Sequence, residues 1–310
     1  MHLSGTYTAI VTPFTSDGEA VDVSALDALV EAQIAGGVTG LVPCGTTGEA
    51  PTLTDEEQIS VVKRVVAVAA GRVPVLAGTG TFSTKKTIAA SRAAVAAGAG
   101  GVMVVMPYYN KPSQEGMREH VLAVARSVSC PVVLYNIPGR SVVDLAADTV
   151  EQICEQAANV VGVKEATGNV LRCQELKRRL GDRIAVLSGD DALTLPMMSV
   201  GAAGVISVTS NVRPHEVSEV TRRVLAGDWA GARAAHLALL ELHGLMFAEP
   251  NPAPAKAALA LAGRMGAAVR LPLVAAGEGL RRQLQSATGR LEASFPWPAH
   301  RASPAREARA

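Results

Sequence analysis

Cysteine is scarce and scattered in this chain: Cys44, Cys130, Cys154 and Cys173 form no Cys-x-x-Cys pair and no His-Cys cluster. That spacing excludes a disulfide frame and a zinc site. The four read as small buried hydrophobes in a reducing cytoplasm. An excess of one charge is also missing. Lys and Arg number 29 against 28 Asp and Glu, for a formal net charge of +1. Nothing basic enough for nucleic acid, or acidic enough for metal storage, follows from that balance. Long hydrophobic runs are absent as well. The longest candidate, residues 59–70, is broken by Lys63 and Arg64, and crossing a bilayer takes roughly 18 apolar residues. The first 14 residues lack a basic region followed by an apolar core, so no signal peptide is expected. The expected protein is cytoplasmic, with neither a membrane nor a nucleic acid as partner.

What is present is a rhythm. Short apolar runs recur at 8–12, 40–43, 73–78, 102–106, 132–135, 160–164, 184–188 and 205–208, each followed by turn residues. Runs of four to seven such residues suit strands buried on both faces. Helical spacing fills the gaps. Leu26, Leu29, Val30 and Ile34 share one helix face, as do Ile59, Val62, Val65, Val66 and Ala69. Helix starts carry Asp22 and Ser24, the capping-box run Thr54-Asp55-Glu56-Glu57, and Ser113-Gln114-Glu115. Helix ends carry Gly36-Gly37, Gly71, Gly98, Gly181 and Gly201.

Eight strand–helix units joined by right-handed crossovers predict an α/β fold, a closed (β/α)8 TIM barrel. The alternative is an open doubly wound sheet. Its dinucleotide fingerprint is incomplete, because Ser83 stands where the third glycine after Gly78-Thr79-Gly80 belongs. The barrel is expected over residues 1–226. Helices at 214–226, 229–247, 253–263 and 274–287 close it and add a C-terminal helical extension over 227–291. Residues 292–310, rich in Pro, Ala and Arg, are read as a disordered tail.

Barrel active sites lie where the strands end. Strand two leads into Gly45-Thr46-Thr47-Gly48-Glu49, strand four into Pro107-Tyr108-Tyr109-Asn110, and strand five into Tyr135-Asn136-Ile137-Pro138-Gly139-Arg140. Strand six ends on Lys164-Glu165, strand seven on Ser188-Gly189-Asp190-Asp191, and strand eight on Ser207, Thr209 and Asn211. Lys164 closes an apolar strand. Desolvation there favours the neutral amine, the form that attacks a carbonyl. An ion pair with Glu165 is the structural alternative. Three of the four tyrosines cluster after strands four and five. A phenol beside a nucleophilic amine moves protons, although packing alone would also account for them. The Thr46-Thr47 loop, flanked by glycines, can aim backbone N–H groups at a carboxylate, or be no more than a turn. Arg140 should project from a tight Pro-Gly turn and grip a carboxylate, unless it is merely solvated. The six histidines fall on helices and termini as surface or packing residues, no spacing suggests a metal, and a Ser-His-Asp system lacks its Gly-x-Ser-x-Gly elbow.

These motifs, with Gly162-Val163-Lys164-Glu165-Ala166-Thr167-Gly168 and Glu249-Pro250-Asn251-Pro252, resemble the dihydrodipicolinate synthase (4-hydroxy-tetrahydrodipicolinate synthase) family of class I pyruvate-dependent aldolases. The resemblance runs in order from about residue 5 to 288. It implies a lyase of lysine and diaminopimelate biosynthesis that needs no cofactor. Pyruvate would form a Schiff base on Lys164 and condense with L-aspartate-4-semialdehyde. Thr47, Tyr135 and Tyr109 would relay protons, with Tyr109 reaching in from a neighbouring subunit of a homotetramer. Thr46 and Thr47 would hold the pyruvate carboxylate and Arg140 that of the semialdehyde. Gly189 and Ile206 would offer backbone groups. Sugar-acid lyases of the same superfamily share the lysine and the Thr-Thr loop, and Arg140 favours the synthase over them. A barrel that only binds a ligand is a further alternative, which the complete set of relay residues disfavours. Relatives inhibited by lysine carry a serine, two histidines, an asparagine and a glutamate in one cleft. Here Ala50, Asp55, Gln58, Phe82 and Lys86 stand in those places, so weak or absent lysine inhibition is expected.

Overall fold

A computed structural model describes residues 3–294 of the chain. The first half alternates β1 (Gly5–Ala9), α1 (Val23–Ala35), β2 (Gly40–Val42), α2 (Asp55–Ala69), β3 (Leu76–Gly78), α3 (Thr84–Ala96), β4 (Gly101–Val105) and α4 (Gln114–Ser127). The second half continues with β5 (Val132–Asn136), a short α5 (Pro138–Ser141), α6 (Ala147–Gln156), β6 (Val160–Glu165), α7 (Val170–Leu180), β7 (Ala185–Ser188), α8 (Thr194–Met198) and β8 (Gly204–Ser207). Helices α9 (Pro214–Leu225), α10 (Trp229–Leu245), α11 (Ala253–Leu261) and α12 (Glu278–Ser294) follow.

The strands pair in parallel in the order β2-β1-β8-β7-β6-β5-β4-β3. The two ends of that order meet. Leu41 bridges Val75, and the Gly78 N–H donates to the Pro43 carbonyl at 2.9 Å. Closure leaves no edge strand and selects the (β/α)8 TIM barrel over the open sheet. Alternation along each strand then makes two cores. Leu41, Val104, Leu134, Val163 and Val186 face the helices. Tyr7, Val42, Leu76, Met103, Tyr135, Leu187 and Ile206 fill the lumen. Gly40 is where the lumen needs glycine: a Cβ there would fall 2.1 Å from the Tyr7 ring.

The helix signals hold except at Ser24, which lies inside α1 rather than before it. Asp22 caps α1, Thr54 and Glu57 form a full capping box on α2, and Ser113 caps α4. Gly37, Gly71, Gly98, Gly181 and Gly201 all take positive φ after their helices. Most boundaries move by two residues or fewer, and three elements shift further. The third strand, expected at 73–78, spans only Leu76–Gly78. The first strand starts at Gly5 rather than at residue 8 and ends at Ala9. Its polar start escaped the hydropathy pattern because Thr6 and Thr8 spend their hydroxyls on the surrounding helices, on Thr221 at 2.9 Å and Gln33 at 2.8 Å. It ends early because the Asn211 side chain takes the Val11 N–H and the Ala9 carbonyl. The last helix, expected at 274–287, occupies Glu278–Ser294. Its backbone therefore covers the first three residues of the expected tail. The remainder of that tail lies outside the described residues. Ahead of α12, Arg270 anchors an irregular segment by bonding Glu57 twice and the carbonyls of Gly18, Glu19 and Thr52. Among the described residues no helix is long and apolar enough to cross a membrane.

Candidate active site at the barrel mouth

Lys164 sits one residue from the end of β6, only 4% exposed. Its register partner on β5 is Tyr135, and its Nζ lies 4.2 Å from the centre of that ring. The structural alternative for Lys164 fails. Its neighbour Glu165 turns to the other face of the strand. There it accepts from the Thr167 N–H at 2.9 Å and from the Asn136 amide at 3.2 Å, and pairs with Arg172 at 3.5 Å. Burial pushes the Glu165 carboxyl above its ordinary value, against the pull of those partners. None of the ion pairs among the described residues includes Lys164. A buried amine with no carboxylate partner, against a phenol ring, is free to add to a carbonyl.

The Thr-Thr loop leaves two backbone donors unspent. It is a tight turn in which Gly48 and Glu49 donate to the carbonyls of Gly45 and Thr46. The N–H groups of Thr46 and Thr47 donate to no acceptor among the described residues. Two adjacent unspent donors suit a carboxylate. Glu49 turns the chain with φ 55°, and its side chain forms a fully buried ion pair with Lys256 of α11 at 2.5 Å. Burial lowers the Lys256 ammonium to about 8, and the Glu49 carboxylate opposes that fall. Lys256 also donates to the Ala268 carbonyl at 2.8 Å and lies 4.0 Å over the Phe14 ring. This second buried lysine is thus held, whereas Lys164 is not.

Arg140 belongs to the one-turn helix α5 rather than to an open turn. It is exposed, and none of the described residues binds its guanidinium. Gly189 directly follows β7, against the end of β6. Its N–H donates to the Glu165 carbonyl at 2.7 Å, and a Cβ there would fall 2.6 Å from that of Ala166. Ile206 is buried on the lumen face of β8, in register with Tyr7. Tyr109 stands apart. It is 91% exposed with φ 71°, while Tyr108 stacks edge-on against Phe82 at 5.5 Å. Left-handed backbone is costly for a tyrosine. No contact among the described residues joins Tyr109 or Arg140 to Lys164.

Three residues take roles that the sequence did not reveal, although the motifs above include Asn251 and Asp191. Asn251 donates its amide to the Thr47 hydroxyl at 2.9 Å. Lys256 was legible only as the lone charge in the apolar run of α11. Asp191 accepts from Ser207 and from the N–H groups of Val208 and Thr209, which fixes the turn after β8. The packing role expected of the histidines fits His243, buried and 2.9 Å from the Thr209 hydroxyl, and His120, equally far from that of Thr84.

Comparison with known proteins places this arrangement. The chain is 75% identical over 291 residues to the 4-hydroxy-tetrahydrodipicolinate synthase of Sorangium cellulosum, covering 94% of this chain and 97% of that one. It superposes with a TM-score of 0.92 on the 4-hydroxy-tetrahydrodipicolinate synthase of Methylacidiphilum fumariolicum SolV, at 44% identity over 94% of this chain and 97% of the other. The Acinetobacter baumannii dihydrodipicolinate synthase, solved in complex with pyruvate, superposes at 0.91 with 42% identity, over 94% of this chain and 99% of that one. With residues 2–290 matching its family description as well, the chain belongs to the Dihydrodipicolinate synthetase family.

Proposed function

We propose that the protein is a 4-hydroxy-tetrahydrodipicolinate synthase acting on pyruvate and L-aspartate-4-semialdehyde in lysine and diaminopimelate biosynthesis. The observation that carries this is the unpaired, buried Lys164 amine against Tyr135, at the mouth that Arg140 also borders. Lys164 Nζ adds to the pyruvate keto carbon, and water leaves as the iminium forms. The iminium draws electrons, so a methyl proton departs and an enamine results. Its terminal carbon attacks the semialdehyde carbonyl, and the new alkoxide takes a proton. The semialdehyde's amine then adds to the former keto carbon and displaces Lys164, closing the ring. Tyr135, Thr47 and Tyr109 carry the protons. Thr46 and Thr47 hold the pyruvate carboxylate, Arg140 holds that of the semialdehyde, and Gly189 and Ile206 line the site with backbone groups. We assign the catalytic barrel to residues 1–226 and an added helical lobe to 227–291. The four free thiols fit a cytoplasmic setting. The test is a coupled assay with both substrates, set beside cleavage of N-acetylneuraminate and of a keto-deoxy sugar acid. Turnover confined to the sugar acids would transfer the protein to a lyase branch of the superfamily.

The assembly assigned to it is a homotetramer of two tight dimers, with Tyr109 serving the neighbour's site. An almost fully exposed tyrosine on strained backbone supports this reading. Two-fold interfaces are self-complementary. Mixed oligomers of Tyr109→Phe and Lys164→Ala chains should therefore regain part of the activity that each variant lacks alone. No recovery in mixed oligomers verified by mass would exclude a shared tyrosine.

Feedback by lysine is expected to be weak. Gln58 already donates to the Ala50 carbonyl at 3.0 Å, Phe82 is packed on Tyr108, and Lys86 is an exposed cation on α3. Two like charges about 4 Å apart cost roughly 1–4 kcal/mol even in a well-screened setting. Millimolar L-lysine should leave the rate nearly unchanged and give little heat in calorimetry. Inhibition below one millimolar would show that Asp55 or another group rebuilds the cleft.

A further inference from the structure

Three contacts tie the stretch from Asn251 to Arg270 to the Thr-Thr loop, two of them buried and one partly buried. Asn251, 5% exposed, donates its Nδ2 to Thr47 Oγ1 at 2.9 Å. Five residues on, Lys256 pairs with Glu49 at 2.5 Å. The Arg270 N–H donates to the other Glu49 oxygen at 3.0 Å. The Asn251–Thr47 bond is thus accompanied by two further contacts from the same stretch of chain to the same loop.

The direction of the Asn251 bond has a chemical consequence. An amide nitrogen donates and cannot accept. The Thr47 oxygen therefore receives a hydrogen from Asn251 and keeps its own. No acceptor among the described residues takes that hydrogen from Thr47. The amide orientation is favoured on energetic grounds. As placed, it leaves the Asn251 Oδ1 buried without a partner. The flipped amide would leave a buried NH2 bare, and orphaned N–H groups are rarer in proteins than under-satisfied carbonyl oxygens.

We propose that Asn251 is a positioning residue that sets the direction of proton transfer at Thr47, acting through that hydroxyl rather than on the substrates. The proposal rests on Thr47 serving in the relay assigned above. A donor fixed on one side of a hydroxyl points the hydroxyl's own hydrogen away from it. Thr47 can then hand that proton to the next group and recover one in turn, with no rotamer search at each step. The lobe that carries Asn251 thereby contributes to the chemistry as well as to the stability of the barrel.

The test is Asn251→Asp, which preserves shape and reverses the bond. An ionised carboxylate only accepts, so Thr47 must turn its hydrogen toward residue 251. At neutral pH and saturating substrates, kcat should fall by roughly 100- to 10,000-fold, the scale of a lost acid–base step. Asn251→Ala should lose less, because Thr47 is then unguided rather than misdirected. A packing role predicts the opposite order, since alanine leaves a cavity and aspartate does not. The ratio of Asn251→Asp to parent activity should also climb as pH falls and the new carboxyl regains a proton to donate. In a Thr47→Val background, Asn251→Asp should change kcat no further. Borohydride trapping of pyruvate on Lys164, together with the melting temperature, reports whether each variant is folded and binds. If Thr47→Val is impaired but Asn251→Asp matches the parent, Asn251 does not steer the proton and only this inference fails. If Thr47→Val itself keeps full kcat, the relay assignment fails and this inference with it.

Discussion

Replacing Lys164 with alanine is expected to abolish turnover, by roughly a thousandfold or more, the scale on which enzymes lose a nucleophile. It should also abolish covalent trapping. Pyruvate and borohydride should add one reduced adduct per chain to the parent, on the peptide that contains Lys164, and none to the variant. The structure makes this demand specific, because a second buried lysine is available for comparison. Lys256 is fully buried, and its ammonium is lowered to about 8 by that burial. On titration alone it would be a competing nucleophile. Its geometry forbids that role, since Glu49 and the Ala268 carbonyl hold the ammonium and Phe14 covers it. Lys164 has a phenol ring on one side and no ion pair. An adduct on Lys256, or on any lysine besides Lys164, would overturn the assignment.

Arg140→Ala should separate the two substrates. The guanidinium is exposed on α5, and the described residues leave it unbound, so its removal disturbs no internal contact. Folding and pyruvate trapping on Lys164 should be unaffected. If Arg140 grips the semialdehyde carboxylate, losing a charge-assisted pair of that kind costs about 2–5 kcal/mol. That corresponds to a fall of tens to thousands of fold in kcat/KM for the semialdehyde, expressed largely as a higher KM. Lysine at this position should restore only part of the loss, since a point charge cannot reproduce bidentate binding. Steady-state kinetics with pyruvate held saturating will read this directly. Activity near that of the parent would strip Arg140 of its role and favour a lyase that holds its second substrate by other groups.

Much of this protein is determined locally. Eight apolar runs alternating with capped amphipathic segments are enough to demand parallel strands with helical crossovers, because each pattern satisfies its own backbone and buries its own face. The order of the motifs puts Lys164 at the end of a strand and Thr47, Arg140 and Gly189 just beyond strands, so their positions along the barrel were legible before any coordinates. In the structure Lys164 lies one residue from the end of β6, and Thr47, Arg140 and Gly189 follow β2, β5 and β7.

Only the tertiary structure decided the rest, and each case turns on contacts far apart in the chain. The first strand can carry Thr6 and Thr8 because side chains on distant helices hydrogen-bond their hydroxyls, which hydropathy does not register. Glu165, adjacent to Lys164 in sequence, is removed from it by strand alternation and given to Asn136 and Arg172. Asn251 meets Thr47, and Lys256 meets Glu49, across more than 200 positions. A lone lysine in an alanine-rich helix gives no sign that its partner is a glutamate in the second strand's loop. Periodicity and capping encode which face a residue takes and where an element starts. Which buried charge finds a partner, and which is left free to react, depends on closing the barrel and laying the last helices across its mouth.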